Sequence, residues 1–160
     1  MKLTFDLQLP DRDLRVGNAD MQNRSRIGYE GREDKRFFPI IKALECLTAI
    51  NLWQWTRATR DGTHYPWLYD SGVHYQQEPI GEEVWPDFPT LYKQGWGDCE
   101  DLACARTAEL QFCGVPAVNA IRYKKLGDIT LIHVLVLHPD GWLEDPSRIL
   151  GMKGSFSCNI

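Results

Sequence analysis

Residues 95–103 read Gly95-Trp96-Gly97-Asp98-Cys99-Glu100-Asp101-Leu102-Ala103, and their reading decides the fold. Asp98 is a natural N-cap, because its short carboxylate can accept from the unpaired N–H groups of a following helical turn. Asp101, three residues on, has the spacing of a capping box. Ala103, Ala105 and Ala108 are small enough for a helix to pass through the middle of a domain, and Gly114 followed by Pro116 ends it. The pattern predicts a helix over 99–113 with a cysteine in its first turn. A thiolate there is favoured by the helix dipole and the free N–H groups. The same N–H groups can face a developing oxyanion, and the glycines upstream allow tight turns and close approach of a substrate chain.

Three strand candidates follow. Ala117 to Tyr123 is the first, and Lys124 to Asp128 makes a turn around Gly127. Ile129 to Leu137 is the most apolar and is expected to be central. Pro139-Asp140-Gly141 is a hairpin turn, and Trp142 to Asp145 is the third strand, stopped by Pro146. His133 lies among Leu131, Ile132, Val134 and Leu135, and a polar ring in such a run needs a partner. A backbone group would satisfy it as well as a functional one would.

Parity tests the pairing of His133 with Asp145. With a three-residue loop at 139–141, His138 faces Trp142, Leu135 faces Asp145 and His133 faces Ser147. Asp145 then shares a sheet face with His133, on the diagonal, roughly 7–8 Å away. Gly141 suits the left-handed position of such a loop. A loop of two or four residues would send Asp145 to the opposite face. His138 has the other parity and is the poorer candidate base. A nucleophile on a helix N-terminus, a base on a strand and a carboxylate on the next strand form a thiol triad: Cys99, His133 and Asp145.

Upstream, Leu3, Phe5, Leu7 and Leu9 alternate with polar residues, which predicts a strand ended by Pro10. Residues 11–36 are polar and glycine-containing and read as loop. Phe37, Ile40, Ile41, Leu44, Leu47, Thr48, Asn51 and Trp55 follow helical spacing to about Thr59. Pro39 sits in the first turn, and Asp61-Gly62 closes the helix. Residues 64–96 carry ten aromatic or histidine side chains and four prolines. They are expected to form an ordered irregular segment, either packed as core or lining a substrate cleft.

The chain has 160 residues and a net charge of −4, with Lys and Arg dispersed. One domain is expected, divided into 1–60 (strand and helix), 61–96 (aromatic segment) and 97–150 (catalytic core). The absence of a basic stripe argues against a nucleic-acid partner. No apolar run reaches the roughly 18 residues of a membrane span, and the first residues lack the pattern of a secretory signal. A cytoplasmic or particle-associated location is the expectation. The five cysteines are odd in number, and no Cys-x-x-Cys occurs, so neither a disulfide framework nor a zinc site is expected.

Gly97-Asp98-Cys99-Glu100-Asp101-Leu102-Ala103, Gly114-Val115-Pro116-Ala117, Ile132-His133-Val134-Leu135-Val136 and Leu143-Glu144-Asp145-Pro146 together resemble the transglutaminase-like superfamily in order and spacing. Bacterial transglutaminase-like cysteine proteinases and small phage and bacterial proteins of that superfamily are the nearest in pattern. The resemblance covers residues 65–150. It implies an α+β, papain-like core in which the cysteine helix packs on an antiparallel sheet. It also implies acyl transfer from protein or peptide amides through a thioester on Cys99, foremost as a cysteine peptidase. Transamidation, deamidation, or a non-catalytic module of a larger assembly such as a phage virion are the alternatives. Gln94 and Trp96 are candidates for the second oxyanion donor.

Asp98, Glu100 and Asp101 should raise the thiol pKa, against the catalytic need. Capping accounts for Asp98 and Asp101. The resemblance implies calcium held by Asp98 and Glu100, whose charge would offset the acids. Glu100 could equally pair with Arg106 or Arg122, and no cofactor is required by the triad itself.

Overall fold

The computed structural model describes residues 2–4, 37–79, 83–126 and 129–153. Most of the N-terminal strand and loop read from residues 3–36, and Cys158, lie outside these. The first strand, β1 (Lys2–Thr4), pairs antiparallel with β3 (Val84–Pro86).

Helix α1 (Phe38–Arg60) buries Ile40, Ala43, Leu44, Leu47, Thr48, Asn51, Trp55 and Ala58, the three-and-four spacing of a single face. Pro39 falls in its first turn, and the chain leaves through Asp61 and Gly62, whose φ of 72° is left-handed. Helix α3 (Cys99–Phe112) is different: Leu102, Ala103, Cys104, Ala105, Thr107, Ala108 and Glu109 are all buried, so it is wrapped rather than amphipathic. Its capping box is present, with the Asp101 carboxylate accepting from the Asp98 N–H at 3.3 Å.

Strands β5 (Val118–Leu126), β6 (Ile129–Leu137) and β7 (Leu143–Glu144) form one antiparallel sheet with β6 in the centre. The fold is therefore mixed α+β. Strand β5 runs three residues further than its composition suggests, to Leu126 paired with Ile129. Once two strands are in register, ladder hydrogen bonds carry polar residues such as Lys124 into the strand.

The aromatic segment is more regular than its prolines suggest. It contains a short 3-10 helix (Leu68–Asp70), β2 (His74–Tyr75), β3, helix α2 (Phe88–Gln94) and β4 (Trp96–Gly97), which pairs parallel with β2. Helix α2 is a finding beyond the sequence reading. Asp87 caps it, with its side chain accepting from Thr90 N; a proline sits in its first turn; and Gly95, φ 79°, ends it.

Two apolar clusters share α3. Ala103 and Cys104 face Phe37, Leu44, Leu47, Ile121, Val134 and Val136. Leu102, Ala105 and Ala108 face Trp55, Leu68, Val73, Phe88 and Leu91. Trp55 stacks on Phe88 at 4.7 Å and 11°. The aromatic segment thus serves chiefly as core, with each fully buried large side chain contributing about 1.5–3 kcal/mol.

Candidate functional site

The position of Cys99 follows from where β7 stops. His138 N–H donates to Trp142 O at 2.8 Å, so in an antiparallel strand the N–H groups of Val136 and Val134 point the same way. Strand β7 ends at Glu144, and Pro146 opens helix α4 (Pro146–Ile149). The ladder position opposite Val134 is left open there. The Cys99 sulfur takes it: the Val134 backbone N–H bonds to the sulfur, a contact that favours the thiolate. Cys99 is half-buried.

The β6–β7 register is Val136↔Glu144 and Leu137↔Leu143. This is the register of a three-residue loop, with Gly141 at φ 88° and its N–H bonded to His138 O at 3.0 Å. Asp145 consequently shares a face with His133, and His133 Nε2 lies 3.0 Å from Asp145 Oδ2. A carboxylate partner assigns the proton to Nε2. Nδ1, the ring nitrogen nearer the backbone, is left as the acceptor on the side of residues 133 and 134. Asp145 also caps α4, accepting from Arg148 N at 3.2 Å. Burial alone would raise the Asp145 carboxyl; the His133 hydrogen bond and charge, aided by Arg148, hold it below the usual carboxylate range.

Acids surround the sulfur on the helix side. The Cys99 thiol donates to Glu100 Oε2 at 3.1 Å. Burial, then the charges of Glu100 and Asp98, push the thiol well above its ordinary value. Burial and Glu100 push Asp98 up to about 10, burial and Asp101 push Glu100 up to about 7, and Asp101 is raised by burial and Asp98. Burial and mutual repulsion thus favour the protonated forms of these acids. These surroundings favour the thiol form of Cys99 over the thiolate.

Asp98 Oδ1 and Asp101 Oδ1 are buried without a hydrogen-bond partner, and such oxygens are donors of the kind calcium takes. Among the described residues no three His, Cys, Asp or Glu side chains are grouped as metal ligands, so the donors match calcium in kind but fall short in number. Arg106 does not pair with Glu100; it binds Glu144 at 2.8 Å and Glu109 at 3.0 Å.

Gln94 Nε2 donates to the Trp96 carbonyl at 2.6 Å, which ties that N–H into the loop. Trp96 is half-buried in β4. The residue that sequence reading missed is Tyr75. It pairs with Gly97 across β2 and β4, and its phenol is pushed up to about 12 by burial and by the charges of Cys99, Asp98, Glu100 and Asp145. Its only sequence signal was a place among many aromatics. A cavity of about 310 Å³ lies elsewhere, between α1, α3 and β5, lined by Leu44, Thr48, Thr107 and Asn119.

Compared with protein-family models, curated proteins and solved structures, the chain matches none.

Proposed function

We propose that this protein is a thiol-dependent acyl-transfer enzyme of papain-like, transglutaminase-like design, acting on amide bonds of proteins or peptides, foremost as a cysteine peptidase. The observation that carries the reading is the His133–Asp145 hydrogen bond of 3.0 Å on the strand whose next backbone N–H holds the Cys99 sulfur.

His133 Nδ1 takes the proton from Cys99 as the sulfur attacks the amide carbon. Asp145 fixes the tautomer and stabilises the imidazolium that forms. The negative oxygen of the tetrahedral intermediate accepts from the backbone N–H at the start of α3. Trp96, or the Tyr75 phenol, protonated up to about pH 12, supplies a second donor. The intermediate collapses to a thioester, and His133 gives its proton to the departing amine. Water then attacks the thioester carbon, giving its proton to His133, and the acid leaves as the thiol reforms. An amine in place of water would make the reaction a transamidation, and a glutamine side chain as acyl donor with water as acceptor a deamidation. Calcium, held by Asp98 and Glu100 with further oxygens, would supply charge that offsets the acids beside the thiol.

A second reading, a non-catalytic module, is favoured by one observation: the thiol is held protonated on Glu100 at 3.1 Å. Acyl trapping separates the two. With p-nitrophenyl acetate at pH 7.5, the acetyl group should accumulate on the peptide containing Cys99 and not on the more exposed Cys46 and Cys113. It should be lost in His133→Ala. Even acetylation of all three cysteines would support the module.

A further inference from the structure

Arg122 is paired with His133 across β5 and β6. Directly paired residues project from the same face of a sheet, with Cβ atoms about 4.5–5.5 Å apart. The arginine stem therefore runs beside the imidazole. Its Nε is buried and donates to nothing, and among the described residues no carboxylate takes its charge. The acid on that face, Asp145, is engaged by His133 at 3.0 Å and by Arg148 at 3.5 Å. Lys124, two residues along β5, is on the same face and exposed. The site is thus polarised: acids on the helix side of the sulfur, and on the sheet side a half-exposed guanidinium with no ion pair among the described residues.

A buried donor without an acceptor is uncommon in folded proteins. A guanidinium is built to grip a carboxylate with two parallel hydrogen bonds. We propose that Arg122 anchors a substrate carboxylate beside the reacting bond, so that the preferred substrates are amides carrying an acidic side chain or a free C-terminus there. The inference rests on Cys99, His133 and Asp145 being the reacting groups. The carboxylate forms its bonds to Arg122 as the substrate enters, which fixes the scissile carbonyl in register with the sulfur. Discrimination against the neutral analogue follows, because without the carboxylate the arginine stays unpaired.

Alkylation of the full chain by iodoacetate and by iodoacetamide tests this, since the two reagents share the reacting carbon and leaving group and differ by one carboxylate. Rates at each cysteine are read by mass spectrometry of the labelled peptides. In Arg122→Gln the ratio of iodoacetate to iodoacetamide rates at Cys99 should fall about 10-fold, the value of one charge-assisted hydrogen bond. Both reagents need the same thiolate, so the ratio is insensitive to any change that the substitution makes in the thiol itself; the ratio at Cys46 should not change, and Arg122→Lys should keep part of the preference. An unchanged ratio in Arg122→Gln, with Cys99 still labelled fastest by iodoacetamide, overturns the anchor alone. Loss of selective Cys99 labelling in the unsubstituted chain overturns the triad and the anchor together. Protection of Cys99 from iodoacetamide by short peptides then separates the two carboxylate sources. Protection by a free C-terminus but not by its amide marks the terminus, and protection by an amidated glutamyl peptide marks the side chain. Protection by neither at millimolar concentration contradicts the anchor.

Discussion

Glu100 does two opposite things to Cys99. It accepts the thiol proton at 3.1 Å and, after burial, is the strongest influence pushing the thiol up. Glu100→Gln keeps the shape and removes the charge. The Cys99 alkylation rate at pH 7.5 should rise about 3- to 10-fold, because a thiol pKa lowered towards the ambient pH exposes more thiolate. Gly97 acts through space rather than through φ. A Cβ at that position would lie 2.5 Å from Leu91 Cδ1 and 3.1 Å from Asp101 Cβ. Gly97→Ala should cost about 1–3 kcal/mol in urea unfolding, the range for overpacking a core. The sequence made this glycine visible as a motif member but assigned it backbone freedom. The close packing of α2 on the α3 cap, which demands it, is a tertiary fact.

At the scale of elements, strand β7 is only two residues long, yet its register sets the face of Asp145, the next residue, whose carboxylate meets His133. Its hold on the molecule comes from Glu144, which is 2% exposed. Glu144 accepts from Arg106 on α3 at 2.8 Å, meets His138 just beyond the end of β6 at 2.6 Å and takes the Tyr69 hydroxyl. One buried carboxylate therefore ties the helix of Cys99 to the end of β6 and to the strand that leads into Asp145. Glu144→Ala should cost about 3–5 kcal/mol in urea unfolding, because it leaves Arg106 with Glu109 alone and removes the buried acceptor shared by Tyr69 and His138. Combined with Arg106→Met, part of that loss should return.

Parity along β6 and the loop at 139–141 made the His133–Asp145 pairing legible from sequence, since a period of two leaves only one face for each residue. Helix α2 was missed: Asp87, Pro89 and Gly95 are its cap, first-turn and end signals, but four prolines in one segment masked a seven-residue helix. Arg122 could not be singled out before β5 was in register, because an unpaired arginine is a statement about neighbours.

For the whole molecule, the buried acids predict an unusual pH dependence. The folded values of Asp98, at about 10, and Glu100, at about 7, lie above the ordinary carboxylate values of about 4. Acids raised in this way contribute stability that is complete below about pH 4 and is lost progressively from there up to the folded values, about 7 for Glu100 and about 10 for Asp98. Asp145 and Glu144 are held low by their partners against burial, so their contribution is lost instead as pH falls below about 4. Melting temperature should therefore peak near pH 4 to 5 and decline towards pH 9, and Glu100→Gln should flatten the part of the decline below about pH 7. A melting temperature that climbs steadily from pH 6 to 9 would show that these acids are ionised and compensated in the fold. The same packing that buries the acids also joins the two apolar clusters on α3, so the site and the core share one helix. No described helix is long and apolar enough to cross a membrane.

The account stands on Cys99 and His133 acting as one unit, and the pH–rate profile of iodoacetamide alkylation at Cys99 tests that directly. Cys46 and Cys113 are more exposed and serve as internal standards. The account predicts that near pH 7 Cys99 reacts faster than either, and that His133→Ala slows it at least 10-fold while leaving the standards unchanged. A Cys99 rate at or below that of Cys46, indifferent to His133, would contradict it.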